Sequence, residues 1–282
     1  MNGSAVPAES AVVTVRGGGL TAAFAPGRGA KIVSLHDGIR EWLAQPAAGA
    51  APPAPGTPFV EAEMAGWDEC APSIVACTVG GRDIPDHGSL WDAEFASSGA
   101  TATYHGAGFS FSRTVEAAPE GLVLRYRARS DGTAAPFLWA AHPQFVAPPG
   151  TSVRLPVPDP VVFDVLAPVP RETRWSGETA TIDTVPVGGC RKIYLDPAVR
   201  IGAAELVHPD GRVLSLEWSQ EAPYLGVWFD RGAFSREPVI ALEPSTGYYD
   251  SLAIAVASDR VSVLEPGRTL EWWVAVRASG SP

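Results

Sequence analysis

Two ionisable residues stand where apolar strand patterns end, a placement that suits acid–base chemistry. Glu243 closes the run Val239-Ile240-Ala241-Leu242, and His142 closes Phe137-Leu138-Trp139-Ala140-Ala141. Each is followed by a proline, Pro244 and Pro143. A carboxylate or an imidazole beside so much apolar surface is costly unless something pairs with it. Each also has a plain structural alternative: an exposed carboxylate at a strand edge, and a core histidine satisfied by backbone. Set opposite one another, the two could hold an acid and a base across a small substrate. If close, each charge favours the other, and the pair titrates as a coupled unit.

A second concentration of chemistry runs from Gly66 to Trp91. It holds Trp67, Asp68 and Glu69, then Asp86, His87 and Trp91, among Gly and Pro residues that break regular structure. Carboxylates accept hydroxyl hydrogen bonds and an indole face covers the C–H side of a ring, so this composition suits a sugar. A surface loop with core tryptophans is the competing reading. Asp86 precedes His87 and can orient its ring. The other histidines, His36, His105 and His208, lie in turn or strand-end contexts and are expected to be solvated.

The elements that must carry these residues read as strands. Ala11–Arg16 and Leu20–Phe24 flank a triple-glycine turn, a hairpin pattern. Ala30–Leu35 follows, and residues 44–58, rich in Ala and Pro, read as a long loop. In Phe109–Val115 and Leu122–Arg129 the side chains alternate, with Arg125, Arg127 and Arg129 on a solvated face. Further strands are expected at Phe137–Phe145 and, among others, Lys192–Leu195, Tyr224–Phe229, Val239–Leu242, Ala253–Ala257 and Leu270–Arg277. No long segment has a 3.6-residue apolar period. Short strands at close spacing, with 29 Gly and 27 Pro in 282 residues, predict an all-β fold of two large, mostly antiparallel sheets in one domain spanning residues 1–282.

Composition narrows the partners. A formal charge of −10 argues against nucleic acid and against an anionic membrane surface. Three cysteines, Cys70, Cys77 and Cys190, without a Cys-x-x-Cys pair, argue against a disulfide framework or a structural zinc site. Free thiols fit a reducing compartment. The Met1–Pro7 stretch lacks the charge and apolar run of a signal peptide. The expectation is a cytoplasmic monomer or homodimer.

Three ordered motifs carry a resemblance: Asp86-His87-Gly88, Ala141-His142-Pro143-Gln144-Phe145 and Ala241-Leu242-Glu243-Pro244, with Gly29–Leu35 as an opening strand. Together they resemble the aldose 1-epimerase, or galactose mutarotase-like, family over nearly the whole chain. The resemblance implies a β-supersandwich and interconversion of the α and β anomers of a free sugar. It implies Glu243 as base, His142 as acid and His87 as a second histidine at the ring. Asp68, Glu69, Trp67, Asp86 and Trp91 are the expected substrate-binding residues, and Asp230 is a further candidate for the hydroxyls. No metal or organic cofactor is implied. The chain departs from the family in lacking a recognisable early arginine-bearing loop, and it reads Ser89-Leu90-Trp91 where many members carry an arginine. A neutral sugar is therefore expected in preference to a sugar phosphate. The alternatives are a sugar-binding protein without turnover, a lyase or hydrolase on the same fold, and, more remotely, a metal-dependent cupin.

Overall fold

The computed structural model describes residues 12–51, 53–54, 56–62, 64–167 and 169–280. Ala11, expected in the first strand, and the Met1–Pro7 stretch lie outside them, as do Pro52 and Pro55 of the Ala/Pro-rich loop. The first hairpin forms as its glycines dictate, Val13–Gly17 pairing with Leu20–Ala25.

Among the described residues, two large sheets with antiparallel ladders dominate the fold, one of eleven strands and one of eight, with two small two-stranded sheets beside them. In the larger sheet the central order is Lys31–His36, Trp67–Cys70, Ala140–Pro143, Val239–Ser245, Tyr224–Asp230, Cys190–Leu195 and Val161–Asp164. Neighbours here are far apart in sequence, because the chain leaves after Cys70 to build strands of the other sheet and then returns. One contiguous apolar core is drawn from both sheets, with Phe24, Trp67, Ile240 and Leu242 on one side and Phe111, Leu124, Tyr126 and Trp272 on the other.

Period-two alternation explains what each strand of the larger sheet does. Trp67, Ala141, Leu242, Val227, Ile193 and Val162 face that core. The residues beside them in sequence, Asp68, His142, Glu243, Trp228, Lys192 and Phe163, point to the opposite face, since successive side chains alternate. Six neighbouring strands thus send their polar and aromatic side chains to one side of one sheet.

Three expectations need correction. Phe137–Phe145 is not one strand. It is split into Ala135–Phe137, Ala140–Pro143 and Phe145–Val146, with a jog at Trp139 whose N–H donates to Thr246 Oγ1 at 2.8 Å. Ala253–Ala257 is helical: Leu252–Ala257 forms one short α-helix that buries Leu252 and Ala255, three residues apart. An apolar run that short fits either period, so only packing could decide. His208 is buried, not solvated. Its Nδ1 contacts Arg40 and its Nε2 lies 2.9 Å from the Val146 carbonyl, while burial lowers its pKa. By contrast Arg125, Arg127 and Arg129 are exposed, as the alternation requires.

Candidate active site

Register brings the acid and the base together. Ala140 pairs with Ser245 and Phe145 with Ile240, one continuous register that sets His142 opposite Glu243. His142 Nδ1 lies 3.1 Å from Glu243 Oε1. An ionised carboxylate only accepts, so Nδ1 carries the hydrogen and donates. The Gln144 side-chain amide sits 3.0 Å from His142 Nε2. Its nitrogen can donate to a neutral ring, and its oxygen, on turning, can accept from a charged one. Gln144 is buried and its Oε1 has no hydrogen-bond partner in the present orientation.

Sequence reasoning missed the second cation at this site. Lys192 Nζ donates to Glu243 Oε2 and lies 3.4 Å from Asp250 Oδ1, and Asp250 also accepts from the Tyr194 hydroxyl. Lys192 is two strands away from Glu243, and the strand between them carries Gly226 directly opposite Glu243. A Cβ at Gly226 would meet Lys192 Cε at 3.2 Å and the Tyr194 ring at 3.1 Å. The missing side chain is therefore the gap through which Lys192 reaches. The sequence signal was an isolated glycine inside a strand, which marks a close approach.

These partners set the charge. Burial raises the Glu243 pKa, but the Lys192 ammonium and the His142 hydrogen bond outweigh it and hold the group at about 2. Burial would lower Lys192, yet Asp250 and Glu243 drive it up. Glu243 is ionised and Lys192 charged throughout the neutral range.

His87 joins this group. It lines the same cleft as His142, Lys192 and Asp250, and its ring centroid is 5.3 Å from that of His142. It has φ +59°, and Gly88 after it has φ +71°. A Cβ at Gly88 would fall 2.0 Å from the Ala71 carbonyl oxygen, so only glycine lets this loop dock on the end of the Trp67–Cys70 strand, where Ser89 N–H donates to Ala71 O at 2.7 Å. His87 Nδ1 lies 2.9 Å from Asp86 Oδ2. Burial lowers its pKa, partly opposed by Asp86. The ring is neutral at pH 7, with Nδ1–H on the aspartate and Nε2 left as an acceptor. Phe59 stacks on it at 3.5 Å.

The remaining candidates divide by face. Asp68 pairs in register with His142 and is buried on the same side. Its Oδ2 meets Lys31 Nζ at 3.1 Å, while Oδ1 is buried without a partner. Trp91 lines an adjoining cleft with Asp68, Lys31, Arg28 and Phe59. Asp86 contacts the His87 ring and lines neither cleft. Trp67 and Glu69, expected at the sugar, are not in either cleft. Alternation turns both into the core, where Trp67 packs edge-on against Phe145 at 5.9 Å. Glu69 accepts from Arg113 (2.7 Å), Trp139 (2.8 Å) and Tyr126 (3.2 Å). Asp230 is also structural: its carboxylate accepts from the backbone N–H groups of Gly232, Ala233, Phe234 and Ser235.

No family model matches the sequence, and no curated protein matches it. Solved structures match the fold. A protein from Synechocystis superposes with a TM-score of 0.77 at 14% identity, covering 100% of both chains. A galactose mutarotase-like protein from Lactobacillus casei superposes with a TM-score of 0.69 at 19% identity, covering 95% of this chain and 100% of that one. A galactose mutarotase-like protein from Clostridium acetobutylicum gives 0.70 at 15% identity over 95% of each chain. The fold is thus the galactose mutarotase-like β-supersandwich. Among the described residues no helix is long and apolar enough to cross a membrane.

Proposed function

We propose that this chain is an isomerase of the aldose 1-epimerase type, interconverting the anomers of a free, neutral sugar without a metal or organic cofactor. The observation that carries the reading is the buried, ionised Glu243 in contact with His142 and Lys192, both of which line a cleft. Glu243 takes the proton of the anomeric hydroxyl as the C1–O5 bond breaks, and charged His142 gives a proton to the ring oxygen. The open aldehyde turns about C1–C2, and the two transfers run backwards to close the other anomer. No atom is gained or lost, and each group ends in its starting state. A carboxylate held at about pKa 2 is a weak base. Removal of the proton therefore has to run in step with ring opening and protonation of O5. His87 offers an acceptor to a ring hydroxyl, and Asp68 offers its unpartnered oxygen. Both lysines of the two clefts are ion-paired, Lys192 with Glu243 and Asp250, Lys31 with Asp68. That pairing favours a neutral sugar over a phosphorylated one.

The weak basicity of Glu243 favours a second reading, a sugar-binding protein without turnover. One experiment separates the two. Neutral hexoses at anomeric equilibrium are followed by magnetisation-transfer NMR, with and without a chelator. Catalysed exchange that survives chelation is expected. Binding without exchange supports the second reading, and exchange restored only by a divalent ion overturns the cofactor-free mechanism.

A further inference from the structure

Four of the large apolar side chains that the fold leaves in solvent gather in one place. Val60 (54% exposed), Val75 (41%), Leu166 (49%) and Phe234 (49%) all line the cleft that holds His142 and Lys192. They come from four separate segments: the turn Phe59–Glu61, the stretch after Trp67–Cys70, the stretch after Val161–Asp164 and the loop after Tyr224–Asp230. Single exposed apolar residues need no explanation, but convergence of four segments on one cleft does. Trp228 extends the apolar wall inward, its ring 5.9 Å from that of Phe234.

Two of the four segments are also held in place. Asp230, fully buried, accepts from four successive backbone N–H groups at 2.7–3.0 Å, including that of Phe234. Those bonds fix the loop that presents the Phe234 ring. Val75 N–H and Ile74 N–H both donate to the Asp250 carbonyl at 2.9 Å, which ties the second segment to the residue backing Lys192. A polar floor under a fixed apolar collar matches a ligand with one polar and one apolar end. An unsubstituted hexose, with hydroxyls around its rim, leaves the collar unused.

We propose that this cleft takes a reducing sugar bearing an apolar substituent of a few carbons, with the sugar on the floor and the substituent against Val60, Val75, Leu166 and Phe234. The proposal rests on the isomerase reading for the chemistry of the floor. Collar and floor are walls of one cleft, so the group that covers the collar is part of the same ligand. Ring opening needs a free anomeric hydroxyl, so the substituent is carried elsewhere on the ring, as an ether, ester or amide.

The test uses glucose and its 3-O-butyl and 6-O-butyl ethers, all with free anomeric hydroxyls. Binding to the full chain is measured by calorimetry, and anomeric exchange by NMR. At least one ether is expected to bind about tenfold tighter than glucose, less than full burial of four carbons gives because the collar stays partly open. In the double variant Leu166→Ser, Phe234→Ser, with folding checked by circular dichroism, the ratio of ether to glucose affinity falls towards one. Ethers that bind no better than glucose, or a preference that survives the double variant, overturn the proposal. An ether preference without exchange of any sugar defeats the isomerase reading and leaves this inference standing. Exchange of glucose without an ether preference does the reverse. Failure to bind all three sugars overturns both.

Discussion

Glu69 and Glu243 are residues of the same type, on the same sheet, both essentially shut off from water. Each touches a buried cation, and each receives further hydrogen bonds. They nonetheless differ in charge behaviour and in purpose. Glu69 lies in the core between the sheets, held by Arg113 from the opposite sheet and by Trp139 and Tyr126. Burial dominates there and pushes its pKa up. Glu243 lies on the outer face, where Lys192 and His142 overcome burial and hold it at about 2. The first is a bolt joining two sheets. The second is a charge kept ionised behind His142 and Lys192, which line a cleft. Residue type and burial do not separate these roles; the face of the strand does.

The largest effect expected from breaking this comparison is on stability. Glu69→Gln leaves Arg113 as an uncompensated buried charge, a change that typically costs ~3–5 kcal/mol. Urea denaturation measures it. A cost under about 1 kcal/mol contradicts the bolt. Replacing both partners, Glu69→Leu with Arg113→Met, should recover only part of the loss, because the buried charge is gone but the Trp139 Nε1–H and Tyr126 hydroxyl lose their acceptor.

A smaller effect is expected at the other glutamate. Its folded pKa lies below the ordinary value of 4.5, so the stabilisation it supplies is present above that value and fades as pH falls towards about 2. Lys192→Met removes the main opposing charge. The Glu243 carboxyl should then titrate higher by about 1–2 units, and the acid limb of the pH–rate profile should move up with it. NMR of 13C-labelled glutamate reads the titration directly. Gly226→Ala should move it in the same direction by less, since its Cβ would crowd Lys192 Cε at 3.2 Å without removing the charge. An unmoved titration in Lys192→Met means that His142 alone sets the charge of Glu243.

The legible and illegible parts of the sequence follow the same division. Strand content, the solvated arginine face of Leu122–Arg129 and the candidacy of His142 and Glu243 could be read because each depends on local alternation or on an apolar run that ends at a charged group; that the two face each other depends on pairing between strands distant in sequence. The placement of Trp67 and Glu69 could have been read too: with Asp68 on the outer face, period two sends both its neighbours inward. Arg113, set among Phe109, Phe111 and Val115, already marked that strand's inner face as carrying a charge in need of a partner. Lys192 had only one faint sign, the isolated glycine at 226, because its link to Glu243 spans two strands and depends on the absence of a side chain there. The collar was not legible either, since its four residues meet only when loops from four strands converge.

The central claim is that Glu243, not Glu69, carries the chemistry. Its most direct test is the rate of anomeric exchange in Glu243→Gln, measured by magnetisation-transfer NMR on a sugar that the wild type accepts, with folding confirmed. Loss of a positioned base typically costs ~10²–10⁴ in rate, and a fall of that size is the predicted result. Exchange at the wild-type rate in the folded variant would contradict the account.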